Sequence, residues 1–404
     1  MDLARDDRTE LLLDLSRALH QAGFPSDSLE DTVREVAMTL GVAVQVNALP
    51  TTLTLAVGPP FSQRLVVLRL EPGALNLRKL ALLDAVVGDL RRGADPGRAL
   101  EEVVQIDAEV PLDPPLQTVA TYAVLSCGTA LLLGGGGGEI LVSTLGGIAI
   151  GGIAALAQRS RRVDRVFEIA AAFVATVIVA LWERFGTPIS LYVALIAGVV
   201  QLLPGYALTT ALNELANRNL VSGTSRLGGV LVTLLSLGSG FALGAGLGGN
   251  AILYAPTVSP GHTTLSSTVG AALLMGLAIA SQLHARYRDL GWIVGSCVAT
   301  VALVRFFPSL GITQASPFVT AFAIGLVTNL AARYLRIPQS VVLVPGLLVL
   351  VPGSLSYESL LYVFQADSSD ALSLAVRALL AAILIVTGFL TSQLVAPPVR
   401  GRPG

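Results

Sequence analysis

Charge is scarce in this chain of 404 residues. Only 13% of its side chains are Asp, Glu, Lys or Arg, against 53% that are hydrophobic, about half the charge of an ordinary globular domain. So little charge cannot cover a large wetted surface, which excludes a wholly soluble protein. Cysteine is limited to Cys127 and Cys297, both within apolar stretches, too few for a disulfide framework or a metal centre. No metal and no cofactor is therefore expected. No run of Lys and Arg occurs and the formal net charge is −1, so nucleic acid is not an expected partner. The run Gly134 to Gly138 lacks the Gly-Lys-Ser/Thr that would make it a phosphate loop, which argues against ATP hydrolysis. The first residues, MDLARDDRTELLLDLSRAL, lack the basic start and cleavage site of a signal peptide, so they are expected to stay in the cytoplasm.

The charge that is present is unevenly placed. Residues 1–115 hold 11 basic and 18 acidic side chains, whereas the other 289 residues share 24. This step marks a polar domain followed by a membrane region. We read residues 1–112 as a cytoplasmic α+β domain: helical periodicities at Leu11–Leu19 and Val33–Leu40 with Ser28 as N-cap, β-rich runs at 42–46, 52–57 and 65–70, then helices near 75–91 and 97–106. His20 reads as a solvated helix histidine, and Asp27, Glu30 and Asp31 as a helix N-terminus favoured by the macrodipole. No nucleophile and base pair stands out, so no enzyme is expected, although a membrane-anchored hydrolase or a sensor using this domain stays open.

Ten apolar segments follow, at about 116–133, 140–157, 166–183, 189–204, 226–247, 264–283, 290–307, 316–332, 338–355 and 371–395. Alternate connections, those on the side of the N-terminal domain, hold twelve arginines, including Arg159 to Arg165. The others hold only Arg184 and Arg305. That asymmetry predicts ten spans in the plasma membrane with both termini cytoplasmic. Pro204-Gly205 lies 88 residues after Leu116, and Pro352-Gly353 lies 88 after Thr264. The fold predicted is thus an α-helical polytopic membrane protein, a 5+5 inverted repeat of 113–250 and 251–404, as in alternating-access transporters. Small-residue helix faces such as Gly240-x3-Gly244-x3-Gly248 suit close packing, within a monomer or across a homodimer.

Broken helices leave backbone groups free for a ligand, so Pro204, Gly205, Pro345, Gly346, Pro352 and Gly353 are candidate substrate-binding positions. The plain alternative is that these pairs only end helices. Thr209, Asn213 and Asn217 share one helical face after the first break, and Asn329 lies in the eighth segment. Among the few membrane charges, Glu168, Glu214, Arg226 and Arg377 are candidates for proton coupling or charge pairing. Arg226 can pair with Glu214 or simply anchor the fifth span, and Arg377 can partner Glu168 or Asn329 or reach the interface. Two breaks seven residues apart, at 345 and 352, predict an interrupted ninth helix.

Taken together, LLLDLSRALHQAGFPSDSLEDTVREVAMTLGV, PGYALTTALNEL with VSGTSRL after it, and LVPGLLVLVPGSLSYESL resemble the threonine/serine exporter family over nearly the whole chain. The resemblance implies export of a small hydroxy amino acid driven by protons. Split relatives of the family are associated with dicarboxylate export, so a small dicarboxylate such as succinate is the alternative substrate.

Overall fold

The computed structural model describes residues 7–59, 61–70, 73, 75–108, 113–248, 263–335, 337–350 and 368–397. The N-terminal region runs α1 (Asp7–Gln21), α2 (Ser26–Leu40), β1 (Val44–Leu49), β2 (Thr52–Val57), β3 (Arg64–Arg69), α3 (Leu77–Arg91) and α4 (Pro96–Ala108). In α2, Leu29, Val33, Val36, Ala37 and Leu40 recur at helical spacing and are buried, which is why this stretch is a helix lying on a core. It stops at Gly41, whose φ of +69° lets its N–H reach the carbonyls of Ala37 and Met38. The strands form an antiparallel meander with β2 in the middle. Leu49 pairs with Thr52 across a two-residue turn at Pro50-Thr51, so β1 starts two residues later than the apolar run suggests. Leu53 and Leu55 of β2 join the helices in one core drawn from residues 11–103. Ser28 is not the N-cap: α2 begins at Ser26 behind Pro25. Glu30 accepts the Ala48 N–H at 2.9 Å, fastening α2 to β1.

His20 is buried rather than solvated. Its Nε2 lies 3.0 Å from the carbonyl of Pro50. Burial holds its pKa below the ordinary histidine value, and the nearby Arg226 guanidinium pushes the same way against the Pro50 bond. A histidine neutral in the folded chain and free to protonate when unfolded stabilises most above its unfolded pKa of about 6.5 and progressively less as pH falls below it. Amide protection across α1 and the β1–β2 hairpin should therefore drop between about pH 7.5 and about pH 5.5, and His20→Gln should flatten that profile. Equal protection of the unaltered chain at both pH values would reject this account.

The rest is helical: α5 (Pro115–Leu132), α6 (Gly137–Ala157), the single turn α7 (Arg161–Asp164), α8 (Phe167–Phe185), α9 (Leu191–Val199), α10 (Gly205–Ala216), α11 (Leu220–Gly248), α12 (Leu265–Gln282), α13 (Leu290–Ser309), α14 (Ser316–Leu335), α15 (Gln339–Leu350) and α16 (Ser368–Val395). Among the described residues seven helices, α5, α6, α11, α12, α13, α14 and α16, are long and apolar enough to cross a membrane, and the bent pair α9 and α10 makes eight. The third expected segment is α8, which carries Glu168, Glu183 and Arg184. The ninth is α15, described only as far as Leu350.

Neighbours pack in a recurring order. α5 lies on α6, α6 on α9 and α8 on α11, while α12 lies on α13, α13 on α15 and α14 on α16. In both third-on-fifth pairs a glycine meets the partner's backbone. A Cβ at Gly240 of α11 would collide with the Ile169 carbonyl oxygen, and one at Gly388 of α16 with that of Phe318.

Among the described residues β1 packs on α11, and hydrogen bonds also join the N-terminal region and the chain leading from it to the helices. The Leu77 N–H donates to the carbonyl of Leu283 at 2.9 Å, and the Leu77 side chain packs with Leu125, Met275 and Ile279 between α5 and α12. His284 Nε2 sits 3.1 Å from an Asp113 carboxylate oxygen. Ser26 of α2 touches Ser222 of α11.

Candidate functional site

The apolar segment 189–204 is broken where its sequence demands it. A proline removes one backbone N–H and pushes the preceding residue out of the helical region. Leu203 accordingly has φ −67° and ψ 122°. α9 passes through a 3-10 turn at Val200–Leu202 and restarts after Pro204, whose successor Gly205 donates its N–H to Leu203 at 2.8 Å. The two pieces meet at a 60° bend. Around the bend three buried oxygens have no hydrogen-bond partner among the described residues: Gln201 Oε1, Thr209 Oγ1 and Asn213 Oδ1. Thr209 and Asn213 stand one turn apart on α10. Buried polar atoms left unpaired cost about 1–3 kcal/mol each, which makes this cluster a candidate site.

Glu214 is the next residue round the helix, and it is fully buried at 0% exposure. Arg226 Nε lies 2.9 Å from its Oε1 and 3.0 Å from its Oε2, and Ser222 Oγ donates to Oε2 at 2.8 Å. A tight reversal brings the three together. α10 ends at Ala216, Arg218 takes a left-handed φ of 65°, and the Asn219 N–H returns to the Glu214 carbonyl. α11 then begins at Leu220, six residues before the expected start of the fifth span, so Arg226 lies within the helix rather than at its entry. Ser222 and Arg226 are four residues apart and share a face.

The other expected positions separate from this centre. Asn329 donates to the carbonyl of Ala396 at 2.8 Å and accepts from Gln339 at 3.3 Å, so its amide ties α14 to the start of α15 and the end of α16. Arg377 is exposed near the other end of α16, nineteen residues before Ala396, which at 1.5 Å per residue is about 28 Å. It is no partner of Asn329. Glu168 sits in the first turn of α8, and neither it nor Arg377 forms an ion pair among the described residues.

Pro345 and Gly346 do not break the ninth helix. They lie inside α15, where α13 braces the turn before the proline: Ser296 Oγ donates to the Val342 carbonyl at 2.6 Å. Gly346 makes that approach possible, since a Cβ there would lie 2.8 Å from Ser296 Oγ and 3.0 Å from Thr300 Oγ1. Pro352 and Gly353 fall outside the described residues.

Several participants escape a reading of the sequence. Ser26 and Ser222 look like ordinary turn serines, although the spacing of Ser222 from Arg226 was a usable signal. Thr320 and Thr328 of α14 have buried hydroxyls with no partner among the described residues. Glu139 holds the far end of the first half by accepting the N–H groups of Gly136 at 2.9 Å and Ser190 at 2.8 Å. Arg305, expected in a loop, lies within α13 and donates to the Leu132 carbonyl at 3.1 Å, capping α5.

Comparison with known proteins now bears on this arrangement. A family model described as "Putative threonine/serine exporter" matches residues 10–248, more than half of the chain, and one described as "Threonine/Serine exporter, ThrE" matches residues 267–395. The chain belongs to the threonine/serine exporter family. The two family models fall on the two halves, so this member carries both in one polypeptide, as a mostly helical polytopic membrane protein. Among curated relatives, "Pheromone-regulated membrane protein 10" of Saccharomyces cerevisiae (strain YJM789) is 28% identical over 382 residues, covering 90% of this chain and 48% of its own. The protein of the same name in Eremothecium gossypii is 27% identical over 369 residues, covering 88% and 49%. This exporter-family chain thus spans about half the length of those two relatives. A third, from S. cerevisiae strain S288c, is 29% identical over 313 residues, covering 73% of this chain and 79% of its own. No solved structure matches the chain.

Proposed function

We propose that this family member is a secondary exporter of small hydroxy amino acids, threonine or serine, working by alternating access between two five-helix halves in the plasma membrane. The observation that carries the proposal is the bent α9–α10 element, where orphaned oxygens of Gln201, Thr209 and Asn213 adjoin the buried Glu214–Arg226 pair. The recurring helix order supports ten spans arranged as an inverted repeat, with α8 counted as the third and α15 as part of the ninth. The arginine asymmetry between alternate connections supports cytoplasmic termini.

Charge balance favours an amino acid over a dicarboxylate. Arg226, the cation at the bend, is already matched by Glu214, so the site is neutral as a unit and suits a net-neutral zwitterion better than a dianion. The unpaired oxygens accept hydrogen bonds, which fits an ammonium and a hydroxyl as donors. Proton coupling would act on Glu214: a proton there cancels the attraction that holds Arg226, and loosens the turn joining α10 to α11.

Proteoliposomes holding the full chain test this directly. Threonine or serine should accumulate under an imposed proton gradient, and uncouplers should abolish the accumulation, while succinate should not compete. Saturating threonine at about a hundred times its Kd should also raise thermal stability, by about 2.7 kcal/mol. Absence of flux for any hydroxy amino acid, together with dicarboxylate flux, would transfer the proposal to the alternative substrate class.

A further inference from the structure

The N-terminal region touches the surroundings of the proposed transport site where β1 packs on α11 and where His20 lies near Arg226, and it reaches the buried carboxylate through one hydroxyl. Ser26 Oγ lies 3.1 Å from Ser222 Oγ, and Ser222 lies 2.8 Å from Glu214 Oε2. The direction of this chain follows from chemistry. A carboxylate paired with an arginine only accepts, so the single O–H of Ser222 is spent on Glu214, and the Ser26 contact must be Ser26 donating to Ser222. Ser26 is 2% and Ser222 3% exposed, so water cannot replace either partner. Ser26 opens α2 yet caps nothing with its side chain; its hydroxyl instead joins a residue 196 positions away.

The same region is anchored a second time, where the two halves meet. Leu77 gives its N–H to Leu283 at the end of α12 and buries its side chain between α5 and α12. Ser26 therefore holds the last helix of the first half, while Leu77 sits where α5 of the first half meets α12 of the second and is hydrogen-bonded to the second. Relative rocking of the halves must strain one of these joints. The Leu77 joint combines a backbone hydrogen bond with a buried leucine, whereas at the serine joint one neutral hydrogen bond stands beside a small β1–α11 contact, so the serine bond is the one that yields.

We propose that Ser26 and Ser222 are positioning residues, a relay by which the N-terminal region holds Glu214 against Arg226 in the conformation described, and that the relay opens once in every transport event. The inference rests on the alternating-access reading above.

Ser26→Cys/Ser222→Cys, built into the full chain with Cys127→Ala and Cys297→Ala and reconstituted in proteoliposomes, tests it. Mild oxidation should form the disulfide and lower threonine flux at least tenfold below that of the same variant kept reduced, and reductant should return it to that reduced level. Failure of the disulfide to form, or undiminished flux through the locked protein, would overturn the relay. Silence of the unaltered chain toward every amino acid would instead overturn the exporter reading. A readout independent of flux keeps the two apart. Ser26→Ala leaves the Ser222–Glu214 bond intact and should raise amide exchange across residues 219–226 about fivefold, the weight of one neutral hydrogen bond. Unchanged exchange there also overturns the relay, whether or not flux is measurable.

Discussion

Arg226→Met should lower the stability of the full chain by about 3–5 kcal/mol and abolish flux, because it strands a fully buried carboxylate with the Ser222 hydroxyl as its remaining donor. Glu214→Gln should cost less stability, about 1–3 kcal/mol. The asymmetry comes from exposure: the Glu214 side chain is closed off, whereas that of Arg226 keeps 23% of its surface and can turn toward water once its partner is neutral. The double variant Glu214→Gln/Arg226→Met should recover much of the loss, since no unpaired charge stays buried. Unfolding in detergent gives the three energies and proteoliposome flux the activities. A double variant no more stable than Arg226→Met would show that the two side chains do not act as a unit.

The second large effect falls on the helix seams. Gly240→Ala and Gly388→Ala each drive a methyl group into a facing carbonyl, that of Ile169 in one half and that of Phe318 in the other. Overpacking of this kind costs about 1–3 kcal/mol, and the two losses should be similar because the third-on-fifth packing is the same in both halves. Gly246→Ala is the matched control, since a Cβ there meets nothing within 4 Å. It should be neutral or stabilising by up to about 1 kcal/mol through helix propensity. Melting temperatures of the purified variants measure all three. A loss at Gly246 equal to that at Gly240 would mean that glycine flexibility, rather than close approach, sets the cost.

Features governed by neighbouring residues were legible in the sequence. The bend at Pro204 follows from one missing N–H and one clash with the residue before it, and the apolar segments follow from the depth of a bilayer. The pairing of Glu214 with Arg226 was one of two open readings. What escaped depends on partners distant in the chain. LVSGTSR lies ahead of the expected fifth segment, yet it forms the first turns of α11, where Ser222 and Arg226 take Glu214 as their partner. His20 looks solvated until the β1–β2 hairpin folds its Pro50 carbonyl over the ring. Pro345 reads as a break until α13 brings Ser296 to the Val342 carbonyl in the turn before it. The pairing of Asn329 with Arg377, one of three open readings, fails for a simpler reason, because sharing a bundle does not mean sharing a depth, and counting along α16 separates them.

The Leu77 joint has a consequence for how the protein is made. Leu77 and its acceptor Leu283 are 206 residues apart, so at about 5–20 residues per second the N-terminal region leaves the ribosome some 10–40 s, roughly, before its seat on α12 exists. Its core is complete without that seat, but Leu77 spends the interval on the surface with its N–H unpaired. During synthesis the region is thus a finished fold carrying a temporary apolar patch, and the arrival of α12 in the membrane covers it. Assembly of the second half is therefore reported at the opposite end of the polypeptide, by the burial of one leucine.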